Sequence, residues 1–345
     1  MTDGSPKVVV FGELMLRLNP RGNERIVQAG EFEVRYTGAE ANVAALLAGL
    51  GVEAYAVSKV PAHEIGEACV NYLRRFGVRT DHVARGGERL GIFYLEAGAA
   101  QRASNVIYDR GHTAIRDVHP SDFDWDAILR GADWFHFSGT APALGENVRV
   151  VLREGLTLAK ERGVRVSCDL NYRARLWRPD EAKMVMTDLM TYVDVLIGNE
   201  EDAAKVFGII AEGSDVTKGE LPSTSYEHVA TELAREFGLR HVATTLRRSV
   251  SASVNHWAGM LFDGERHYVS RSYEISPVVD RVGAGDAFSG GLIYAMLRGF
   301  DPQACVEFAV AASCLKHSIP GDFDLVSLGE IEVLIAGDAS GRVRR

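Results

Sequence analysis

The run Lys7–Phe11 (KVVVF) is apolar from Val8 onward and is closed by Gly12, the pattern of a strand buried on both faces. Alternation follows in Leu14–Leu18 and Phe32–Tyr36, which predicts half-exposed antiparallel strands. Ala39–Leu50 and Glu64–Phe76 carry helical spacing, and Leu90–Ala97 and Asn105–Asp109 read as extended again. From Asp133 the rhythm changes. Trp134–Phe137, Val164–Asp169, Val193–Ile197 and His241–Thr245 read as strands, separated by helices at Asn147–Arg162, Glu181–Tyr192, Glu200–Phe207 and Glu227–Phe237. Such alternation implies right-handed crossovers and a mostly parallel sheet covered by helices. The early alternating strands do not fit inside that sheet. The expectation is therefore an α/β fold in one domain, residues 1–345, with a small β-sheet lid drawn from strands within about 14–37 and 88–110. The polar tail Gly337–Arg345 reads as frayed.

Composition narrows the function without naming it. Of 345 residues, 46% are hydrophobic and 25% charged, enough apolar sequence for a sizeable core. The formal charge of −9 argues against a nucleic-acid or anionic-membrane partner, each of which needs a basic footprint. A local basic pocket for an anionic substrate stays compatible with it. Cys69, Cys168, Cys305 and Cys314 are scattered without CxxC spacing, so they read as buried thiols of a reducing compartment. No leader pattern opens the chain, and no apolar run nears the ~20 residues that cross a bilayer. The expected location is cytoplasmic.

The chemistry concentrates in Asp280–Gly291 (DRVGAGDAFSGG). Gly283, Ala284 and Gly285 give a turn, and Asp286 opens a helix whose apolar positions Phe288, Leu292, Ala295 and Met296 recur at helical spacing. A glycine turn at a helix start presents backbone N–H groups and the positive end of the dipole, which makes an anion site. The same field predicts an ionised Asp286 near neutral pH, able to accept a proton. An anion pocket beside a base suits phosphoryl transfer to an alcohol. Taken alone, a GxGD would equally serve as a helix cap.

The surrounding residues resemble the C-terminal signature, D-x-x-G-A-G-D, of the ribokinase (phosphofructokinase-B) family of sugar kinases. The N-terminal family element is similar to Gly38-Ala39-Glu40-Ala41-Asn42, although Thr37 stands where many members carry the first of two glycines. The resemblance runs from Val8 to Leu328 and implies a ribokinase-like domain, Rossmann-like with a β-sheet lid. It implies Asp286 as catalytic base, with Gly283, Ala284, Gly285 and the Asp286 N–H forming the anion hole. Asn199 heads a stretch resembling the family's N-x-x-E element, which organises Mg2+ and the ATP phosphates through water. Here the fourth residue is the shorter Asp202, and Glu201 is a second candidate for that role. Thr245 and Arg247 resemble a nucleotide-facing loop. ATP and Mg2+ follow as expected cofactors, with a monovalent cation such as K+ as a further candidate.

Gly91–Leu95 (GIFYL), Val106–Arg110 (VIYDR), Asp169–Arg173 (DLNYR) and Ser249–Asn255 (SVSASVN) resemble one branch, the 2-keto-3-deoxygluconate kinases. The resemblance implies a sugar-acid substrate in a site of Gly38, Ala39, Asn42, Phe93, Tyr108, Arg110, Asn171 and Arg173. A guanidinium binds a carboxylate through paired charge-assisted bonds, which fits Arg110 and Arg173 as its ligands. Phe93 replaces the tyrosine of some members and loses a phenolic contact. The rival readings are a kinase of a neutral sugar, fructose or ribose, and a non-enzymatic sugar sensor. A dinucleotide oxidoreductase lacks its fingerprint, since Glu13 and Leu14 follow Gly12, and a Walker-A kinase lacks GK[ST]. The resemblance also implies a homodimer or higher homo-oligomer through the lid.

Overall fold

The computed structural model describes residues 4–210 and 223–337. Along the chain, β1 (Lys7–Phe11) leads to β2 (Met15–Asn19), β3 (Glu33–Thr37), α1 (Ala39–Gly49), β4 (Glu53–Val60), α2 (Glu64–Arg75), β5 (Arg79–Arg85), β6 (Gly91–Glu96) and β7 (Asn105–Asp109). A short α3 (Trp125–Ile128) precedes β8 (Trp134–Ser138), α4 (Glu146–Glu161), β9 (Arg165–Asp169), α5 (Pro179–Leu189), β10 (Val195–Gly198), α6 (Glu200–Phe207) and α7 (Ser223–Phe237). The chain closes with β11 (His241–Ser249), β12 (Asn255–Phe262), β13 (His267–Val269), β14 (Tyr273–Ile275), α8 (Ala284–Leu297), α9 (Pro302–Lys316) and α10 (Leu328–Ile335).

The large sheet runs β13-β12-β11-β10-β9-β8-β1-β4-β5, with β14 also on β12. It is parallel from β11 to β5, and antiparallel pairing begins at β12. β1 lies inside the sheet, between β8 and β4, and is apolar on both sides. Val9 and Phe11 enter one core, under α4 to α7, while Val8 and Val10 enter the other, under α1, α8 and α9. The second sheet is small, in the order β3-β2-β6-β7. Two of its pairings are antiparallel as the alternation predicts. The β2–β6 pairing is instead parallel, because the chain builds α1 through β5 before returning to this sheet.

Several elements carry no usable period. α9 is apolar on nearly every side, packed between α8, α10 and β12, so helical spacing does not stand out in PQACVEFAVAASCLK. β4 contains Lys59, which looks exposed in sequence but lies buried, donating to Asp122 at 2.9 Å and to the Asp117 carbonyl at 2.7 Å. Its neighbour β5 (RTDHVAR) is a polar edge strand. The polar tail read from Gly337 lies outside the described residues beyond Gly337 itself.

Candidate active site

Gly283 caps the N-terminus of α8 with φ of 88°, and a Cβ there would stand 2.0 Å from the Asp322 carbonyl oxygen. Only glycine fits that turn. The first helical bond runs from Ala287 N–H to the Gly283 carbonyl at 2.8 Å. Ala284 N–H turns back to the Arg281 carbonyl at 3.3 Å, so it is less available to an anion than the signature implies. The N–H groups of Gly285 and Asp286 have no acceptor among the described residues. No heavy atom lies within 4 Å of where a Gly285 Cβ would point, leaving the approach to those donors open.

Asp286 lies in the first turn of α8, and Asn42 Nδ2 of α1 donates to its Oδ2 at 2.6 Å. The residue is half-buried. Burial is the largest influence and, with Glu40 and Asp322 nearby, pushes its pKa up to about 7; the Asn42 bond and the Arg173 charge pull it down. Near neutral pH both protonation states are therefore expected, since burial and the neighbouring carboxyls work against the ionised form that the helix start favours.

That carboxyl belongs to a larger acidic group at the carboxyl ends of the parallel strands. Glu40 is buried, accepting from the Ser138 backbone and hydroxyl at the end of β8, and burial lifts its pKa to about 7. Asp169 ends β9, and burial and then the Asp286 charge raise it to about 7. The Arg173 guanidinium lowers Asp169, Asp202 and Asp286 together, which places its charge at the centre of this group although the side chain is solvent-exposed. Arg173 Nη1 also donates to the Tyr172 carbonyl at 3.1 Å. Asn171, with φ of 39°, is buried in the same turn, its N–H on Asp169.

The small sheet covers the glycine turn. Its inner face, Met15, Phe93, Leu95, Val106 and Tyr108, packs against Val282 of the signature. The Phe93 and Tyr108 rings meet at a tilt of 41°, centroids 5.9 Å apart, across β6 and β7. Arg17 of β2 is buried and reaches down to Asp280 at 2.6 Å and to Asp322. Arg110 follows β7 with its guanidinium 5.2 Å above Tyr108, but its Nε and Nη2 are both held by buried Glu13, which follows β1. Arg110 and Arg173 are therefore unequal, and sequence reasoning, which missed Glu13, treats them as a matched pair. Gly38 and Ala39 open α1 beneath this sheet, where a Gly38 Cβ would stand 2.2 Å from the Glu13 carbonyl.

The nucleotide-side candidates separate. Asn199 caps α6, accepting from Asp202 N–H at 2.9 Å and donating to Asp202 Oδ2 at 2.9 Å. Asp202 is buried, which raises its pKa to about 7. Glu201 is exposed and pairs with Lys205 at 3.1 Å, away from Asp202, because adjacent helical positions face different ways. Thr245 and Arg247 lie within β11, not in a loop, paired with Gly259 and Trp257 of β12. Arg247 is exposed; burial is the largest influence lowering the pKa of Arg281 and His317, and the Arg247 charge adds to it.

The family described as pfkB family carbohydrate kinase matches residues 5–322. A 2-dehydro-3-deoxygalactonokinase of Haloferax volcanii is 35% identical over 334 residues, covering 96% of this chain and 98% of that protein. The crystal structure of a 2-dehydro-3-deoxygluconokinase from Thermotoga maritima is 54% identical with a TM-score of 0.93, covering 97% of this chain and 99% of that one. A 2-dehydro-3-deoxygluconokinase of Thermoproteus tenax is 28% identical over 334 residues, 95% of this chain and 94% of that protein.

Proposed function

The chain belongs to the pfkB family of carbohydrate kinases, and from that premise we propose that it moves the γ-phosphoryl group of ATP to a hydroxyl of 2-dehydro-3-deoxygluconate, the acid also called 2-keto-3-deoxygluconate. The observation that carries this reading is Asp286, a half-open carboxyl in the first turn of α8 beside the unspent N–H groups of Gly285 and Asp286. In this reading Asp286 accepts the hydroxyl proton as the substrate oxygen bonds to phosphorus and the bond to ADP breaks. The Gly285 and Asp286 N–H groups and the dipole of α8 stabilise charge on the transferring oxygens. Arg173 holds the substrate carboxylate, with Arg110 contributing through the nitrogen that Glu13 leaves free. Tyr108 offers its hydroxyl, and Gly38, Ala39, Phe93 and Asn171 shape the pocket. The small sheet acts as the lid that excludes water.

For nucleotide binding we assign Asn199, Thr245 and Arg247, whose charge lies near Arg281 and His317. The buried Asp202, with a carboxylate fixed by Asn199, would hold Mg2+ through its water shell, where the ion would supply charge neutralisation at the ATP phosphates. Glu201 is left out, since it is turned toward Lys205. A monovalent cation is also left out. Beside the glycine turn, the buried Lys316 ammonium donates to the carbonyls of Asp280 at 3.3 Å and Ile319 at 3.1 Å, supplying a fixed positive charge there.

The substrate is tested by a coupled assay of 2-dehydro-3-deoxygluconate, its galacto epimer, fructose, ribose and adenosine. We expect the gluco acid to lead in kcat/KM, with the neutral substrates lower by about 10² or more. A preference for fructose or ribose would overturn the sugar-acid reading.

We further propose a cytoplasmic homodimer. The cysteines are free, and no helix of the described residues is long and apolar enough to cross a membrane. Register places Leu16, Leu18, Val34, Ile92, Tyr94 and Ile107 on the outer face of the small sheet. Val34 and Ile107 are 56% and 45% exposed. A second copy covering this face would bury a stripe that water otherwise contacts. Light scattering at micromolar concentration should report twice the chain mass, and Ile107→Lys should shift the population to monomer. A monomeric wild-type protein would refute the interface.

A further inference from the structure

β3 ends at Thr37, and this side chain is buried beside the site. Its Oγ1 donates to Asn42 Oδ1 at 2.9 Å, and Asn42 Nδ2 donates to Asp286 Oδ2 at 2.6 Å. The three side chains come from β3, α1 and α8 and form one directed chain of hydrogen bonds. Thr37 sits five residues before Asn42, and Asn42 lies 244 residues from Asp286. An amide has one accepting and one donating end. With Thr37 supplying a donor to the oxygen, the arrangement that satisfies both ends turns the NH2 toward the carboxylate. A glycine at 37 would leave the Asn42 oxygen, itself in a buried side chain, without that donor.

We propose that Thr37 is a positioning residue for the base: its hydroxyl holds the Asn42 amide so that Nδ2 faces Asp286 and keeps that carboxylate aimed and ionised. The proposal rests on the reading of Asp286 as base. The groups that face Asp286 from the packed elements are Glu40 of α1, Asp169 at the end of β9, Asp322 after α9 and Arg173 after β9. Three of these are acids that favour the protonated form, so the ionised base depends on Arg173 and on the amide that Thr37 orients. Hydrogen bonds in series polarise one another, so the loss of the first weakens the second.

The test is a pH profile of kcat/KM for Thr37→Val, which keeps the shape and removes the donor, beside Thr37→Ser, which keeps it. For Thr37→Val the acid limb should move up by about half to one pH unit, with kcat at neutral pH about two- to fivefold lower and nearly restored well above the limb. The KM for nucleotide should hold within about twofold, and Thr37→Ser should track the wild type. Should valine disturb the β3–α1 junction, as a melting curve would reveal, Thr37→Ala carries the same prediction. An unmoved limb in both variants, or an equal loss of rate at every pH, would overturn the proposal. Asp286→Asn serves as the control. If it remains active, the base assignment itself fails; if it is inactive and the Thr37→Val limb is unmoved, only the role of Thr37 fails.

Discussion

Asp286→Asn is expected to lower kcat by roughly 10²–10⁴ while nucleotide affinity stays within about twofold. Asparagine is nearly isosteric and keeps an oxygen toward Asn42 Nδ2, so the first turn of α8 and its free N–H groups should persist. What disappears is the proton acceptor. The pH dependence supplies an independent reading of the same group. Burial, with Glu40 and Asp322 adding to it, sets the carboxyl at about 7, and the base acts only when ionised. Activity should therefore be present above that pH and fall as pH drops through about 7, about three units above the limb of an ordinary aspartate near 4. Isothermal titration with ATP and a coupled assay across pH measure both effects. Retention of more than about a tenth of wild-type turnover would remove Asp286 from the base role, whatever its pKa.

How much of this site was legible depends on where the interacting partners lie. The KVVVF strand, the glycine turn and the division into a parallel sheet and a small second sheet are local patterns, and the chain displays them in its spacing. The partners of Asp286 and Arg17 are not local. Asn42 is 244 residues from Asp286, and Arg17 is 305 residues from Asp322, so no spacing rule links them. Thr37 looked like a loosened match because a motif records residue types and not the bond a hydroxyl makes. Glu40 and Asp169 stood inside quoted stretches, GAEAN and DLNYR, where a burial argument for each acid would have flagged them. Arg247 was misplaced for a different reason. β11 continues past its apolar core to Ser249 as a polar extension held by β12, and backbone pairing with a later strand leaves no trace in the polar residues themselves.

Arg173→Ala is expected to lower kcat/KM for the sugar acid about ten- to a hundredfold, because a charge-assisted hydrogen bond to a carboxylate is worth roughly 1.5–3 kcal/mol. Arg173 is a better probe than Arg110. Removing Arg110 would strand the buried Glu13 carboxylate, whose Oε1 already has no partner, so stability and binding would change together. Arg173 is exposed and, among the described residues, its one hydrogen bond is to a neighbouring carbonyl, so its loss should leave the fold intact. The substitution has a second effect that must be separated from the first. The guanidinium also lowers the pKa of Asp286, so alanine should shift the acid limb upward and weaken every substrate near neutrality. Assays about two pH units above the wild-type limb suppress that effect, since the base is then ionised in both proteins. A residual neutral substrate such as fructose provides the other control, because it shares the base but has no carboxylate to lose. Lysine at 173 should restore the limb, being a cation, but only part of the sugar-acid kcat/KM, since a point charge does not reproduce the planar fork. If Arg173→Ala at high pH costs fructose and the sugar acid equally, the arginine acts on the base alone and the carboxylate is held elsewhere. A loss confined to the acid, with ATP affinity within a few-fold, assigns the guanidinium to the substrate.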